Sequence, residues 1–346
     1  MESVIIVEKT LGSLNKKLAI YLPLIFALAI FSFIIYKSFS NSSYEYSQIY
    51  SMNTIIDIKV WGNDKHQVVL DITKEINRLN NLFDDYTSGT DVSNINQNAG
   101  IKAVNVAPDT LSIISKSLDM YQKTYGSFNI CIGPISKLWG FKDGNYRVPT
   151  EAEIQNTLKL INIDDLQISG NSIFLKKKGE AIDLGGIAKG YTLNNILEIL
   201  KSHQTSDAII NMGGNILTYS TNPNKIWKIG IKDPRSDGII GTLSIKGIKF
   251  IATSGDYERF FMEDGVRYCH IFDPKTGKPA TKIVSITIIA NGGYVSDALS
   301  TAFFVLGKEQ SLILSSKFNV DIVGFDQTLK PFYTGGLKEF LQLENR

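Results

Sequence analysis

The hydropathy pattern of the chain has one abrupt block. Leu18 to Tyr36, LAIYLPLIFALAIFSFIIY, carries no charge. It runs about 19 residues, close to what a helix needs to cross a bilayer. A buried core helix would keep a polar face, which this run lacks. Lys9, Lys16 and Lys17 precede it and Lys37 follows at once. The positive bias predicts that residues 1–17 stay in the cytoplasm and that the remainder is exported. Ser38-Phe39-Ser40 loosely fits a signal-peptide cleavage site. The apolar run is long for a cleaved signal, so the expectation is an uncleaved single-pass anchor at 18–36 in the inner (cytoplasmic) membrane. The Ser/Asn/Tyr-rich stretch 37–51 reads as a polar linker, and 52–346 as the folded domain on the periplasmic side.

Beyond that block the periodicity alternates between two and about 3.6. Thr54 to Trp61 (TIIDIKVW) alternates as a strand. Val68, Ile72, Ile76, Leu79 and Phe83 recur at helical spacing over Asp64 to Phe83, with Asn63 or Asp64 as cap. A second helix fits Pro108 to Tyr125 and a third Ile187 to His203. Strands are expected at Ser172–Leu175, Ala208–Asn211, Trp227–Ile231, Gly241–Ile245, Lys249–Ala252 and Val284–Ala290. The last clear helix is Asp297 to Leu306, stopped by Gly307. Helices mixed with runs of adjacent strands predict an α+β domain.

Composition narrows the function classes. Over 346 residues the net charge is +2, without the concentrated basic surface of a nucleic-acid binder. Cys131 and Cys269 are far apart and match no metal spacing, and a disulfide is neither demanded nor excluded. The histidines, His66, His203 and His270, are dispersed. A zinc site is not expected, and any metal should be a hard cation held by oxygen.

Four segments carry candidate chemistry. In Ala181 to Tyr191 (AIDLGGIAKGY) a strand is expected to end at Asp183. Gly185 and Gly186 then permit close backbone approach before a helix N-terminus, a natural phosphate site to which Lys189 adds charge. The same pattern also describes an ordinary tight turn. In Ser296 to Thr301 (SDALST), Asp297 and Thr301 are four apart and share a helix face. They can ligate magnesium together, or Ser296 and Asp297 can simply cap the helix. The third segment, ATSGDYERFF followed by RYCHIFDPKTGKPA, places His270 among loops. In the fourth, GSFNICIGPISKLWGF, the aromatics can form core or stack on a flat ring.

Taken together the segments resemble one family, the FAD:protein FMN transferases (ApbE family). The matching pieces run in order: DDYTSGTDVSNIN, GSFNICIGP with LWGF, DLGGIAKGY, NMGGNI, WKIGIKDPR, ATSGDYERFF, HIFDPKTGKP and SDALSTAFFVLG. They span about Met52 to Gly307. The resemblance implies a T-fold-related α+β domain with FAD in a cleft and Mg²⁺ at its pyrophosphate. It implies the Gly186 carbonyl, Asp297 and Thr301 as metal ligands. Met52, Tyr86, Ser127, Phe128, Asn129, Asp183, Lys189 and Ile271 match flavin-site positions, and His270 a suspected proton acceptor, with Asp297 as the competing base.

The implied activity is Mg-dependent transfer of FMN from FAD to a threonine hydroxyl, releasing AMP. The implied acceptor is an exported or membrane redox subunit with a short threonine-containing motif. Departures from the family pattern are Asn129 and Asn215, where Asp is common, Met52-Asn53-Thr54 in place of MGT, and Cys269 in place of a second histidine. Two other classes stay open: an FAD pyrophosphatase in which water replaces threonine, and a flavin-binding protein without catalysis. Asp297, Thr301 and His270 argue against the latter. Tyr86 favours firm holding of the flavin, hence transfer.

Overall fold

The computed structural model describes residues 43–344. The expected anchor at 18–36 lies outside the described residues. Among those described, no helix is long and apolar enough to cross a membrane. The architecture is mixed α and β, as expected. An eight-stranded sheet is built from β1 (Tyr44–Ser51), β2 (Thr54–Trp61), β3 (Asp207–Met212), β4 (Asn215–Ser220), β5 (Lys249–Gly255), β6 (Ile283–Ala290), β7 (Asp321–Asp326) and β8 (Pro331–Tyr333). Each strand lies antiparallel beside the next. The helices that position the site are α1 (Lys65–Phe83), α2 (Pro108–Lys123), α3 (Ala188–Ser202), α4 (Gly293–Leu306) and α5 (Lys308–Phe318).

Both faces of the central strands are covered. On one, Ile72 and Ile76 of α1 and Ile196 and Leu200 of α3 pack on Ile58, Ile210 and Leu217. Phe303 and Phe304 of α4 pack with Ile286 and Ile288 of β6 on the same side. On the other, Ile251, Ile289 and Val323 meet Trp227, Ile229 and Leu243 of a three-stranded sheet (Ile226–Lys232, Ile239–Lys246, Leu341–Leu343). Coverage on both faces explains why every residue of β6 is buried. Each such Ile, Leu or Phe contributes roughly 1.5–3 kcal/mol on burial, so α4 is held firmly.

Four expectations are corrected. Residues 44–51 are not linker: they form β1, in register with β2 from Tyr44↔Trp61 to Ser51↔Thr54. Its Tyr, Glu, Ser and Gln content reads as polar linker because an edge strand leaves one face in water. The Asp183 strand is absent, since 181–184 is an irregular extended segment. Its Ile182 bonds the Asn96 side chain, and its Asp183 N–H bonds Ile130 O, in place of a ladder. Helix α4 begins at Gly293, so Asp297 lies buried in its second turn instead of at its start. Finally α5 follows at Lys308–Phe318, its weak amphipathicity having hidden it.

Candidate active site

The site forms where α3 and α4 cross. Gly190 and Gly293 make the crossing close: a Cβ on Gly190 would lie 2.2 Å from Gly293 O and 2.6 Å from Asp297 Cβ. Asp297 is 4% exposed, and its Oδ2 accepts the Gly190 N–H at 2.8 Å. Its Oδ1 accepts no hydrogen bond among the described residues. Thr301, one turn on, faces Gly186, where a Cβ would stand 3.0 Å from Thr301 Oγ1 and 3.2 Å from the Phe128 ring. The sequence-predicted trio of Gly186, Asp297 and Thr301 is therefore brought together on one wall of a cleft of about 410 Å³. A carbonyl, a carboxylate and a hydroxyl are hard oxygen donors, and glycine leaves the cradle open, so the set fits a magnesium ion. Among the described residues no three His, Cys, Asp or Glu side chains gather to hold a metal; this trio has only one carboxylate.

Beside it runs the Asp183–Gly186 turn. Asp183 Oδ1 accepts the Gly185 N–H at 2.8 Å and its other oxygen lies 3.4 Å from Lys142 Nζ. Burial opposes ionisation of Asp183, but the Lys142 charge and the Gly185 N–H outweigh it and hold the carboxyl below the usual carboxylate range. Lys142 also bonds Asp85 and lies 4.3 Å over the Tyr86 ring. Lys189 Nζ donates to Gly185 O at 3.2 Å and lines the same cleft.

The other predicted flavin contacts all line the same cleft. Met52 and Asn53 form a two-residue turn with φ of 50° and 57°. Asparagine tolerates this left-handed region, so Asn53 serves where glycine is usual. Ser127 and Phe128 follow a left-handed Tyr125-Gly126 pair. Asn129 lines the cleft, but its polar ends are committed: Nδ2 donates to Ile161 O and Oδ1 accepts the Cys131 N–H. It shapes the wall more than it offers a polar contact. Trp139 and Phe141, by contrast, are core, packed on Phe261, Tyr268 and Phe272.

His270 and Ile271 also line the cleft. His270 Nδ1 lies 3.1 Å from Arg259 O. A carbonyl only accepts, so Nδ1 carries the proton and Nε2 keeps a free lone pair. Burial and the nearby Arg259 charge push the imidazole pKa down to about 4. The ring is neutral at ordinary pH and its free nitrogen can take a proton.

Two cleft residues escaped sequence reading: Asn80, whose Oδ1 accepts the Met52 N–H, and Asp85, which bonds Lys142. Glu258 and Arg259 also line the cleft, and only their place in ATSGDYERFF hinted at them. Cys131 and Cys269 are free and buried, and burial pushes their thiols up to about 12 and about 11.

Comparison with known proteins identifies relatives of this chain. The FAD:protein FMN transferase of Klebsiella pneumoniae (strain 342) is 33% identical over 277 residues, covering 78% of this chain and 84% of that protein. The FAD:protein FMN transferase of Vibrio cholerae is 28% identical over 286 residues, covering 80% and 86%. Among solved structures, the ApbE protein of Thermotoga maritima superposes with a TM-score of 0.81 at 32% identity, covering 86% of this chain and 99% of that one. The sequence profile of the ApbE family matches residues 52–323, and on that extent, with the cleft just described, the chain belongs to the ApbE family.

Proposed function

We propose that this protein transfers the FMN part of FAD to a threonine hydroxyl of an acceptor protein, with AMP as the leaving group. The observation that carries the reading is one cleft bearing both the Gly186–Asp297–Thr301 oxygen set and a histidine with a free Nε2. The relatives' activity supports it.

The Gly185-Gly186 turn and Lys189 are suited to the pyrophosphate, and Met52, Tyr86, Ser127 and Phe128 to the flavin. Gly186, Asp297 and Thr301 would hold a magnesium ion, which when bound supplies positive charge against the pyrophosphate oxygens. His270 Nε2 takes the proton of the threonine hydroxyl as its oxygen bonds to the FMN phosphorus. The phosphorus–oxygen bond to AMP breaks, and AMP carries the electron pair away. The neutral imidazole, fixed in one tautomer by Arg259 O, needs no deprotonation before it acts.

The uncharged run at 18–36, behind three lysines, supports a tether in the cytoplasmic membrane with the catalytic domain outside the cytoplasm. The acceptor is then an exported or membrane redox subunit. The test is incubation with FAD, Mg²⁺ and threonine-containing peptides, followed by mass spectrometry. Labelled threonine with AMP release is expected. Rapid release of free FMN and AMP without labelling would make the protein a pyrophosphatase.

A further inference from the structure

A second cavity, of about 300 Å³, opens between the two sheets. Ile216 and Ile251 of the main sheet form one wall, and Ile229, Ile231 and Leu243 of the three-stranded sheet form the other. It shares Gly213, Thr253 and Glu258 with the first cleft, so the two spaces adjoin. Glu258 precedes Arg259, whose carbonyl fixes the His270 tautomer. The shared Glu258 is thus one residue from the carbonyl that holds the His270 ring, and His270 lines the adjoining cleft.

One wall has a further property. Ile226–Lys232 is the edge strand of the three-stranded sheet, and Ile229 to Lys232 line the cavity. Among the described residues, the outer backbone side of this strand pairs with no other strand. Such an edge is a template for an extended segment, with backbone bonds giving affinity and pockets for alternate side chains giving specificity. An extended polypeptide is also the form in which a protein hydroxyl reaches into a cleft that a folded surface cannot enter.

We propose that the free edge of Ile226–Lys232 and the cavity beside it seat the acceptor polypeptide. An extended segment adds to the edge, an apolar side chain fills the space between Ile216, Ile231 and Leu243, and the nearby threonine passes Glu258 to reach His270 Nε2. The proposal rests on the transferase reading and adds to it where the acceptor binds and which acceptors are favoured: unfolded or extended segments with an apolar residue close to the threonine.

Ile216→Trp tests this by filling the cavity from its half-buried wall, with Ile216→Val as the conservative control. The probe is the best-labelled member of a synthetic library of threonine-containing peptides. Three quantities are measured on each variant: the FAD dissociation constant, slow FMN release to water, and the peptide KM for transfer. The expected result is a peptide KM raised at least about tenfold in Ile216→Trp, roughly the loss of one small anchor. FAD affinity and water-driven release should stay unchanged, which also shows that the variant is folded, and Ile216→Val should behave as the unaltered protein. An unchanged peptide KM overturns the proposal. So does a loss of FAD affinity, which would give the cavity to the AMP half of FAD. Failure of the unaltered protein to label any peptide would refute the transferase reading itself, and this inference with it.

Discussion

Replacing His270 with alanine probes the chemistry most directly. The Nδ1–H is spent on Arg259 O, so only Nε2 can act as base. Removing a general base costs on the order of 10²–10⁴ in rate, or about 3–5 kcal/mol of barrier. FAD binding should persist, because the flavin and pyrophosphate contacts lie mostly on other segments. The unaltered protein carries a second signature in its pH profile. Burial and the Arg259 charge lower the imidazole pKa to about 4, so the acid limb of kcat/KM should fall there. A solvated ring would put it near about 6.5. Bound pyrophosphate adds negative charge, so the limb of kcat should lie higher than that of kcat/KM.

Stability shares this linkage. Between about 4 and about 6.5 the unfolded chain binds a proton that the folded ring refuses. Stability from this group is therefore intact above the unfolded pKa and declines as pH falls through the window, by at most about 3 kcal/mol, less solvent screening. Peptide labelling followed by mass spectrometry across pH 3–8, for both proteins, is the assay. Undiminished transfer by His270→Ala, or a kcat/KM limb near 6.5 in the unaltered protein, would refute the reasoning.

Asp297→Asn keeps an oxygen for the Gly190 N–H but removes the charge. Its melting temperature should stay near that of the unaltered protein, while turnover falls at least about 10²-fold and the magnesium requirement rises; near-normal rates at low magnesium would remove Asp297 from the metal. Gly190→Ala should push α3 from α4, given the 2.2 Å approach to Gly293 O, and cost about 1–3 kcal/mol in denaturant unfolding. Cys131 and Cys269 should resist thiol reagents at pH 8 in the folded protein and react in urea, because burial raises both pKa values. Protease added to intact spheroplasts should digest the domain if the 18–36 run is an anchor with the N-terminus inside, and full protection would count against that topology.

Much of the site was legible in order along the chain. The Asp297–Thr301 spacing, the Gly185-Gly186 turn before α3 and the histidine among loops are local patterns, set by helix period and by glycine's missing side chain. The core helices and the buried strand β6 were legible for the same reason: their hydrophobic period is written into consecutive residues. Edge strand β1 was not, because a strand with one wet face and an unpaired side looks like polar linker until β2 lies beside it. The burial of Asp297 was not, since it depends on the crossing of two glycines 103 positions apart, Gly190 and Gly293. Nor was the depressed pKa of His270, which comes from desolvation and from the charge of Arg259, brought opposite it by the hairpin of Phe260–Glu263 and Val266–Cys269. The Lys142–Asp85–Asp183 cluster joins three separate loops, and the second cavity exists only because two sheets are stacked. Local periodicity and spacing fix which residues can share an element. Desolvation, charge proximity and cavity shape depend on which distant elements meet, and only the tertiary structure decides that.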